Sequence, residues 1–429
     1  MGEPAPNMKR IKVELLEPGD IVLTADAGKT SRLVRLASKG AVSHAMICVQ
    51  SGSIIDSTDF GVQAHNIQRE LYAADDPVQV FRLREPLSAA RLGAVIDFAR
   101  SEIGIRYSKI EAARSVFAGP RPRNRQLFCS RLVARAYAHA GIQLVADADY
   151  CTPDELRRST LLIKLEDMTE TVSEEEIAAW AARPNPIAEM QESQNAILEA
   201  ARRLDSTVEN FNDLDRLVQN RPECDETIAK VYRDSGYLEV WKTDFRVNPW
   251  HYDLDEMEAL TKASTIDDLR DYCIGTIREF HSGGLRFAVN FVYYRRALRA
   301  HNRQTTAQLV ALYDRLVHND QLRRDTALAW LRRFFPDDAK NDLERIEPHS
   351  EQWFSIVDRV EPALGQIARM SIDRMKSLEV CSSCGDPAED YLLVNAAEMM
   401  PGVPSLRLCL DCVGIRRAGG EILEPLWEL

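Results

Sequence analysis

Leu127-Phe128-Cys129-Ser130-Arg131-Leu132-Val133, read together with Ser43-His44-Ala45-Met46-Ile47-Cys48, decides the fold of the N-terminal part of the chain. From Cys129 onward the apolar residues Leu132, Val133, Ala136, Tyr137 and Ala140 recur at helical spacing, and Gly141 follows as a stop signal. This pattern predicts a helix with Cys129 in its first turn. A thiol in that position feels unpaired N–H groups and the positive end of the macrodipole, and both favour thiolate. Arg121, Arg123 and Arg125 add positive charge if the loop that carries them folds back toward the thiol.

The earlier stretch reads as a strand. Residues 41 to 49 are mostly small, β-branched or apolar, and a second such run follows at Ser53-Ile54-Ile55-Asp56-Ser57-Thr58. The intervening Gln50-Ser51-Gly52 reads as a three-residue hairpin loop with Gly52 in the left-handed position. That register sets Val49 opposite Ser53 and Met46 opposite Asp56, so His44 and Asp56 share a face and sit diagonally. A carboxylate so placed orients an imidazole and stabilises its protonated form. A two-residue loop would turn Asp56 to the other face. Thiolate plus imidazole is an activated-nucleophile arrangement for acyl transfer, and a helix start supplies backbone donors for an oxyanion. Each residue also has a plainer reading, with Cys129 a small buried hydrophobe and His44 a satisfied core residue.

The combination resembles a known family. An early Pro18-Gly19-Asp20-Ile21, Ser-His-Ala-Met-Ile from Ser43, an acidic strand residue, Gly104 and Tyr107, and Phe-Cys-Ser-Arg-Leu-Val from Phe128 are similar to the permuted NlpC/P60 hydrolases. The YiiX/YebB-like branch is nearest, with the lecithin–retinol acyltransferase relatives further off. The resemblance covers roughly residues 12 to 165. It implies an α+β papain-like fold in rotated order, with the histidine strand before the cysteine helix. It also implies Cys129 as nucleophile, His44 as general base and Asp56 as the orienting polar residue, where relatives often carry Glu or His. Tyr107 matches a tyrosine found near the substrate, and Cys151-Thr152-Pro153-Asp154-Glu155-Leu156 matches a Thr-Pro segment that follows the catalytic helix.

With 429 residues the chain exceeds what one core usually serves, and 45% apolar with 28% charged residues mark an ordinary globular composition. No apolar run reaches the ~18 residues of a spanning helix, and Met1-Gly2-Glu3-Pro4 lacks the basic start of a signal peptide, so a cytoplasmic location is expected. Residues 1 to 172 hold 23 Lys or Arg against 21 Asp or Glu, whereas the remainder holds 31 against 45. The acidic remainder argues against nucleic acid as a partner.

The middle of the chain reads as helical. Ser173 with Glu174-Glu175-Glu176 opens a helix, Ser206 and Glu209 form a capping-box pattern, and Ser264 with Asp267 gives a weaker version. Further helices are expected over 285 to 300, 304 to 318, 321 to 335 and 350 to 376. Trp241, Trp250, Trp330, Phe334 and Phe335 read as bundle core, and His251 and His281 as weak ligand candidates.

Cys381 and Cys384, then Cys409 and Cys412, form two C-x2-C pairs separated by 24 residues. Two thiolate pairs fill a tetrahedral zinc shell with no open position, which makes such a site structural rather than catalytic. A disulfide pair or four unrelated thiols are the alternatives. Cys-Ser-Ser-Cys-Gly from Cys381 and Leu-Cys-Leu-Asp-Cys-Val from Leu408 resemble the small C4 zinc domain of the ClpX unfoldase, a treble-clef-like adaptor and dimerisation module. That resemblance implies a protein partner or a homodimer through the zinc and helical domains.

The expected architecture is therefore multidomain. A permuted papain-like hydrolase domain occupies residues 1–172, an all-α domain 173–376 and a treble-clef-like zinc domain 377–429. The expected activity is cleavage of a peptide, amide or thioester bond through a thioester acyl-enzyme, with no catalytic cofactor. Two other classes stay open: a lipid or protein acyl hydrolase or acyltransferase, and a non-enzymatic adaptor with a degenerate hydrolase domain. Cys48, Cys151, Cys224 and Cys273 are expected to be structural thiols, with Cys48 to be checked as an alternative nucleophile because it shares a strand face with His44.

Overall fold

The computed structural model describes residues 8–25, 35–36, 40–50, 52–58, 60–106, 127–261, 266–278, 284–339 and 346–426. The chain divides into two compact units, Met1–Val240 and Trp241–Leu429.

The first unit is built on nine strands: β1 (Met8–Ile11), β2 (Ile21–Thr24), β3 (His44–Gln50), β4 (Ser53–Thr58), β5 (Gly61–Asn66), β6 (Tyr72–Ala73), β7 (Val78–Leu83), β8 (Leu162–Leu165) and β9 (Thr169–Val172). Six form one antiparallel sheet in the order β5-β4-β3-β2-β7-β8, and β6-β1-β9 form a second. Helices α1 (Ala89–Ser101) and α2 (Cys129–His139) cover one face of the large sheet. There Val95, Ile96, Ala99, Leu132, Val133 and Ala136 pack on Ile21, Leu23, Ala45, Ile47 and Ile55. On the other face Val22, Met46, Cys48, Ile54 and Val80 form a second core with Ile11, Ile67 and Met168. Strand alternation produces this division, since neighbours along β3 go to opposite cores.

The β3–β4 hairpin departs from the expected loop. Ile47 pairs with Ile55 and Cys48 with Ile54, but Gln50 pairs with Ser53, so the connection is one residue shorter than expected and Val49 is a bulge. Gly52 takes the left-handed conformation at φ +72°, as expected. The shorter loop alone would have turned Asp56 to the wrong face. The extra residue at Val49 takes up the difference, and the ladder returns to the register in which Met46 faces Asp56.

Pro18-Gly19-Asp20 is a structural clamp. Gly19, at φ +93°, donates its N–H to Cys48 O at 2.8 Å, and its own carbonyl accepts from the Tyr137 hydroxyl of α2. The Asp20 carboxylate is 1% exposed and takes a bidentate pair from Arg82 at 2.8 Å for both bonds, plus the Glu17 N–H at 2.8 Å. Asp20→Ala is expected to leave Arg82 with only the exposed Glu17 carboxylate and Leu15 O, and the Glu17 N–H without its acceptor, and to destabilise this unit by about 3 kcal/mol. Hydrogen exchange of the β2 and β7 amides measures it, and unchanged protection there would refute the clamp.

Helix α3 (Pro153–Arg157) starts on the expected Thr-Pro segment, with Thr152 and Glu155 closing a capping box. The Asp154 carboxylate accepts the Ala41 N–H at 3.1 Å and so anchors the approach to His44. Ser173 caps α4 (Glu174–Ala182) with Glu176, again as expected. Helices α5 (Pro186–Leu204), α6 (Phe211–Asn220) and α7 (Asp225–Asp234) complete the unit. Asn210, not Ser206, caps α6 by accepting the Asp213 N–H at 3.1 Å. Glu209 instead turns its carboxylate to Arg106.

The second unit is helical up to its C-terminal module. It contains α8 (Leu254–Thr261), α9 (Ile266–Arg278), α10 (Leu285–His301), α11 (Gln304–Phe334), α12 (Glu351–Val360) and α13 (Pro362–Met375) among the described residues. Two helix boundaries differ from expectation. Helix α11 runs unbroken through His318-Asn319-Asp320, because weak helix formers without Pro or Gly do not stop a helix packed along its length. The stretch 350 to 376 breaks at Glu361, where Pro362 forces its predecessor out of the helical region. Trp330 is fully buried among Met257, Leu269, Cys273 and Leu331, with Trp250, Phe334 and Phe335 packed around it, as expected of core aromatics. His251 lies 3.3 Å from Asp244 and stacks on Tyr272, while Ser264 and His281 lie outside the described residues.

Candidate active site and metal centre

Cys129 begins α2. Phe128 caps the helix in an extended conformation, and Cys129 is the first helical residue, 7% exposed. Its N–H belongs to the first four of the helix, which have no carbonyl one turn back. The entry is fixed by side chains: Ser57 donates to Leu127 O at 2.8 Å and Ser130 to Cys151 O at 2.7 Å. The thiol therefore sits on a rigid start, pinned from β4 and from the segment before α3.

His44 is the first residue of β3; its ring hydrogen-bonds to Asp56 and lies close enough to the Cys129 thiol for the two to interact electrostatically. Nε2 lies 2.7 Å from Asp56 Oδ2, and 27% of the imidazole side chain stays exposed while Asp56 is 7% exposed. Burial works against the imidazolium. The charge of a Cys129 thiolate, followed by the hydrogen bonds to Asp56 and Cys129, overcomes it and holds the His44 pKa well above the usual histidine range. Burial likewise opposes ionisation of Asp56, yet the hydrogen bond from His44 and the close approach of the His65 imidazole keep its carboxyl far below the usual carboxylate range. The arrangement can store a thiolate–imidazolium pair beside an ionised carboxylate.

The structure thus brings together Cys129, His44 and Asp56. Tyr107 lies outside the described residues, as do Arg121, Arg123 and Arg125. Cys48 is fully buried and its thiol donates to Gln50 O at 3.3 Å, away from the His44 end of β3. Cys151 donates its thiol to Ser130 O at 3.4 Å and, like Cys273, has its pKa driven up by burial.

One member of the cluster was not read from the sequence. His65 on β5 places Nε2 2.9 Å from the second oxygen of Asp56. The signal was available, because Gly61 ends a tight β4–β5 turn at φ +92° and Asp56 pairs with Gln63, which puts His65 on the same face.

A sheet-backed cysteine helix preceded in the chain by its histidine strand defines the N-terminal part as a permuted papain-like domain. Residues 15–175 match the family model of the permuted papain-like amidase enzyme, YaeF/YiiX, C92 family. No curated protein matches the chain. Among the described residues no helix is long and apolar enough to cross a membrane.

At the C-terminal end the Sγ atoms of Cys381, Cys384, Cys409 and Cys412 all lie within 4.8 Å of one another. The first pair sits on a tight turn closed by Cys381 N–H to Asp386 O at 2.7 Å and Gly385 N–H to Cys381 O at 3.0 Å. Strands β10 (Glu389–Leu393) and β11 (Ser405–Leu408) form a hairpin, with β12 (Leu423–Pro425) on the other side of β10. Cys409 then caps α14 (Leu410–Ala418), and Cys412 lies in its first turn. Turn, hairpin and helix follow the treble-clef order. A tetrahedron of sulfurs ~2.3 Å from a central ion has edges of about 3.8 Å, so these four thiols fit a metal ion.

Proposed function

We propose that the chain is a cysteine hydrolase of amide or peptide bonds in three parts: 1–172 catalytic, 173–376 helical and 377–429 zinc-binding. The observation that carries the reading is His44, whose ring hydrogen-bonds to Asp56 at 2.7 Å and lies within electrostatic reach of the Cys129 thiol at the start of α2. In this reading the His44 imidazole takes the Cys129 proton, and the thiolate attacks the acyl carbonyl to form a tetrahedral adduct. The free N–H groups at the start of α2, that of Cys129 among them, stabilise the oxyanion. Imidazolium returns the proton to the departing amine as the C–N bond breaks, leaving a thioester. His44 then takes a proton from water, the resulting nucleophile attacks the thioester, and Cys129 leaves as thiolate. Asp56 keeps the ring turned toward the thiol and stabilises its charge. The family match over residues 15–175 supports amide chemistry.

The C-terminal cysteines are assigned to zinc in a structural role. The donor set is all thiolate, which soft-ligand preference matches to zinc, and four ligands leave no position for substrate. The activity is assigned to the cytoplasm, where such thiols stay reduced.

The test is alkylation of Cys129 against pH, read by peptide mass spectrometry in the full chain. In wild type Cys129 is expected to label faster than Cys224 at acid to neutral pH, and in His44→Ala to lose that low-pH labelling. Labelling no faster than at Cys224, and indifferent to His44, would overturn the reading. Release of free acid from a labelled amide substrate, rather than its transfer to a second acceptor, separates hydrolysis from acyl transfer.

A further inference from the structure

Asp56 is shared between two imidazoles. Oδ2 faces His44 at 2.7 Å and Oδ1 faces His65 at 2.9 Å, around a carboxylate that is 7% exposed. The reaction as written uses only the first contact. Resting on the assignment of Cys129, His44 and Asp56 above, we propose that His65 is a positioning residue: its Nε2–H fixes the Asp56 carboxylate for His44, and Gln191 on α5, beyond the family-matched segment, sets the orientation of that imidazole.

The geometry for this begins with register. Strands β4 and β5 pair without a bulge from Ser53 and Asn66 to Thr58 and Gly61, so His65 stands one diagonal step from Asp56 on the same face. Among the described residues Asp56 Oδ1 and His65 Nε2 have no other polar partner, and each atom is buried. Their approach at 2.9 Å is close, with the N–H off the ideal line to the oxygen. Without His65 the oxygen would be left bare, and a buried carboxylate with one open oxygen is free to turn away from its remaining donor.

Gln191 supplies the second half. Its side-chain amide donates to Ala64 O, and the same nitrogen lies 3.5 Å from His65 Nδ1. A donor facing Nδ1 selects the tautomer that carries its proton on Nε2, toward Asp56. The imidazolium keeps that Nε2 proton as well, so the hold on Asp56 survives a change of charge. The groups acting on His65 are Asp56 from β4, His44 from β3 and Glu70 from the turn after β5, while α5 presents Gln191. Tyr72 on β6, half-buried, lies near Glu70 and Asp56. Burial opposes a charged His65, and Asp56 and then Glu70 draw its pKa up.

The sign follows from what Asp56 does for its other neighbour. A carboxylate held in place stabilises the His44 imidazolium, and through it the Cys129 thiolate. If His65 is lost, the imidazolium forms less readily and the thiolate needs a higher pH, so the pH window of the ion pair narrows from both sides.

The experiment compares the pH profile of Cys129 alkylation by iodoacetamide in the full-length wild type, His65→Ala, His65→Gln, Gln191→Ala and His44→Ala. His65→Ala is expected to move the acid limb up by about one pH unit, which is roughly tenfold slower labelling below it. His65→Gln, whose amide still donates, is expected to recover at least half of that displacement, and Gln191→Ala to shift the same way by less. An acid limb unchanged in His65→Ala, or equally displaced in His65→Gln, would overturn the proposal. If His65→Ala does not fold, as judged by its thermal transition, Gln191→Ala decides: an upward shift supports the proposal and no shift refutes it. His44→Ala keeps the two levels apart. Loss of its low-pH labelling upholds the underlying site whatever His65 does, and wild-type labelling in His44→Ala removes that site altogether.

Discussion

In His44→Ala, kcat/KM for an amide that the wild type cleaves is expected to fall by roughly 10³-fold, about 4 kcal/mol of transition-state stabilisation. In the proposed mechanism the imidazole makes two contributions: it stabilises the thiolate electrostatically, and it returns a proton to an amine that leaves poorly as an anion. Asp56→Ala is expected to cost less, roughly 10²-fold, because it removes the partner at 2.7 Å from Nε2 while the imidazole itself remains beside Cys129. The leaving group supplies an internal control. For a thioester substrate, whose thiolate departs without protonation, the His44→Ala defect is expected to shrink, since only the first contribution is lost. Equal losses on amide and thioester would mean that His44 is not the proton donor. Steady-state kinetics of both variants on both substrates, with Cys129→Ala as the blank, measure all of this.

The sequence made much of this site legible for a physical reason. A cysteine at the start of an amphipathic helix and a histidine on an alternating strand announce their environments locally, since helix and strand periods fix which way each side chain turns. Asp56 was reached through the register of one hairpin, and that inference survived a wrong loop length only because the Val49 bulge restored the face. Local patterns do not announce bulges. His65 was missed because reaching it needs a second register step, from β4 to β5, beyond the pair that was considered. Gln191 could not have been read at all, for it meets Ala64 and His65 across 126 or more residues through helix docking. The helical boundaries followed the same rule. Pro362 acted through its own backbone and ended a helix, whereas Ser206 and Glu209 had the right spacing for a cap and lost to Asn210, one residue from the actual start.

Removal of metal is expected to unfold the C-terminal module unevenly. Its strands are short, with five, four and three residues in β10, β11 and β12. The hairpin has support that does not depend on an ion, because Tyr391, Leu393, Leu406 and Leu408 share a core with Trp353, Ile356 and Val357 of α12, and the Trp353 indole donates to Ser405 O at 2.8 Å. The cysteine turn and α14 reach that core through Cys381, Cys412 and Val413, so two of their three anchors are themselves ligand thiols, and α14 adds bonds from Arg416 to Glu421 and from Arg417 to Leu423 O. His349 steadies the turn from outside the module, contacting Leu378 O through Nδ1 and the Ser382 hydroxyl through Nε2, each at 2.8 Å. Further support comes from two backbone bonds within the turn, Ser382 N–H to Arg407 O, the Arg407 guanidinium to Leu378 O at 2.8 Å, and the Ser383 N–H to the Cys381 sulfur itself at 3.4 Å. Four thiols gathered within 4.8 Å gain little from one another without a cation, whereas zinc bound to such a set contributes roughly 10–16 kcal/mol. Chelation, or Cys409→Ser, is therefore expected to abolish hydrogen-exchange protection across residues 381–386 and 409–418 and only to weaken it in β10 and β11. The β2 and β3 amides of the other unit serve as the unaffected reference. Elemental analysis should find one zinc per chain before chelation. Protection that stays the same after the metal is stripped, or a purified chain that carries no metal, would show that packing on α12 alone holds the module and would leave the four cysteines without the role assigned to them.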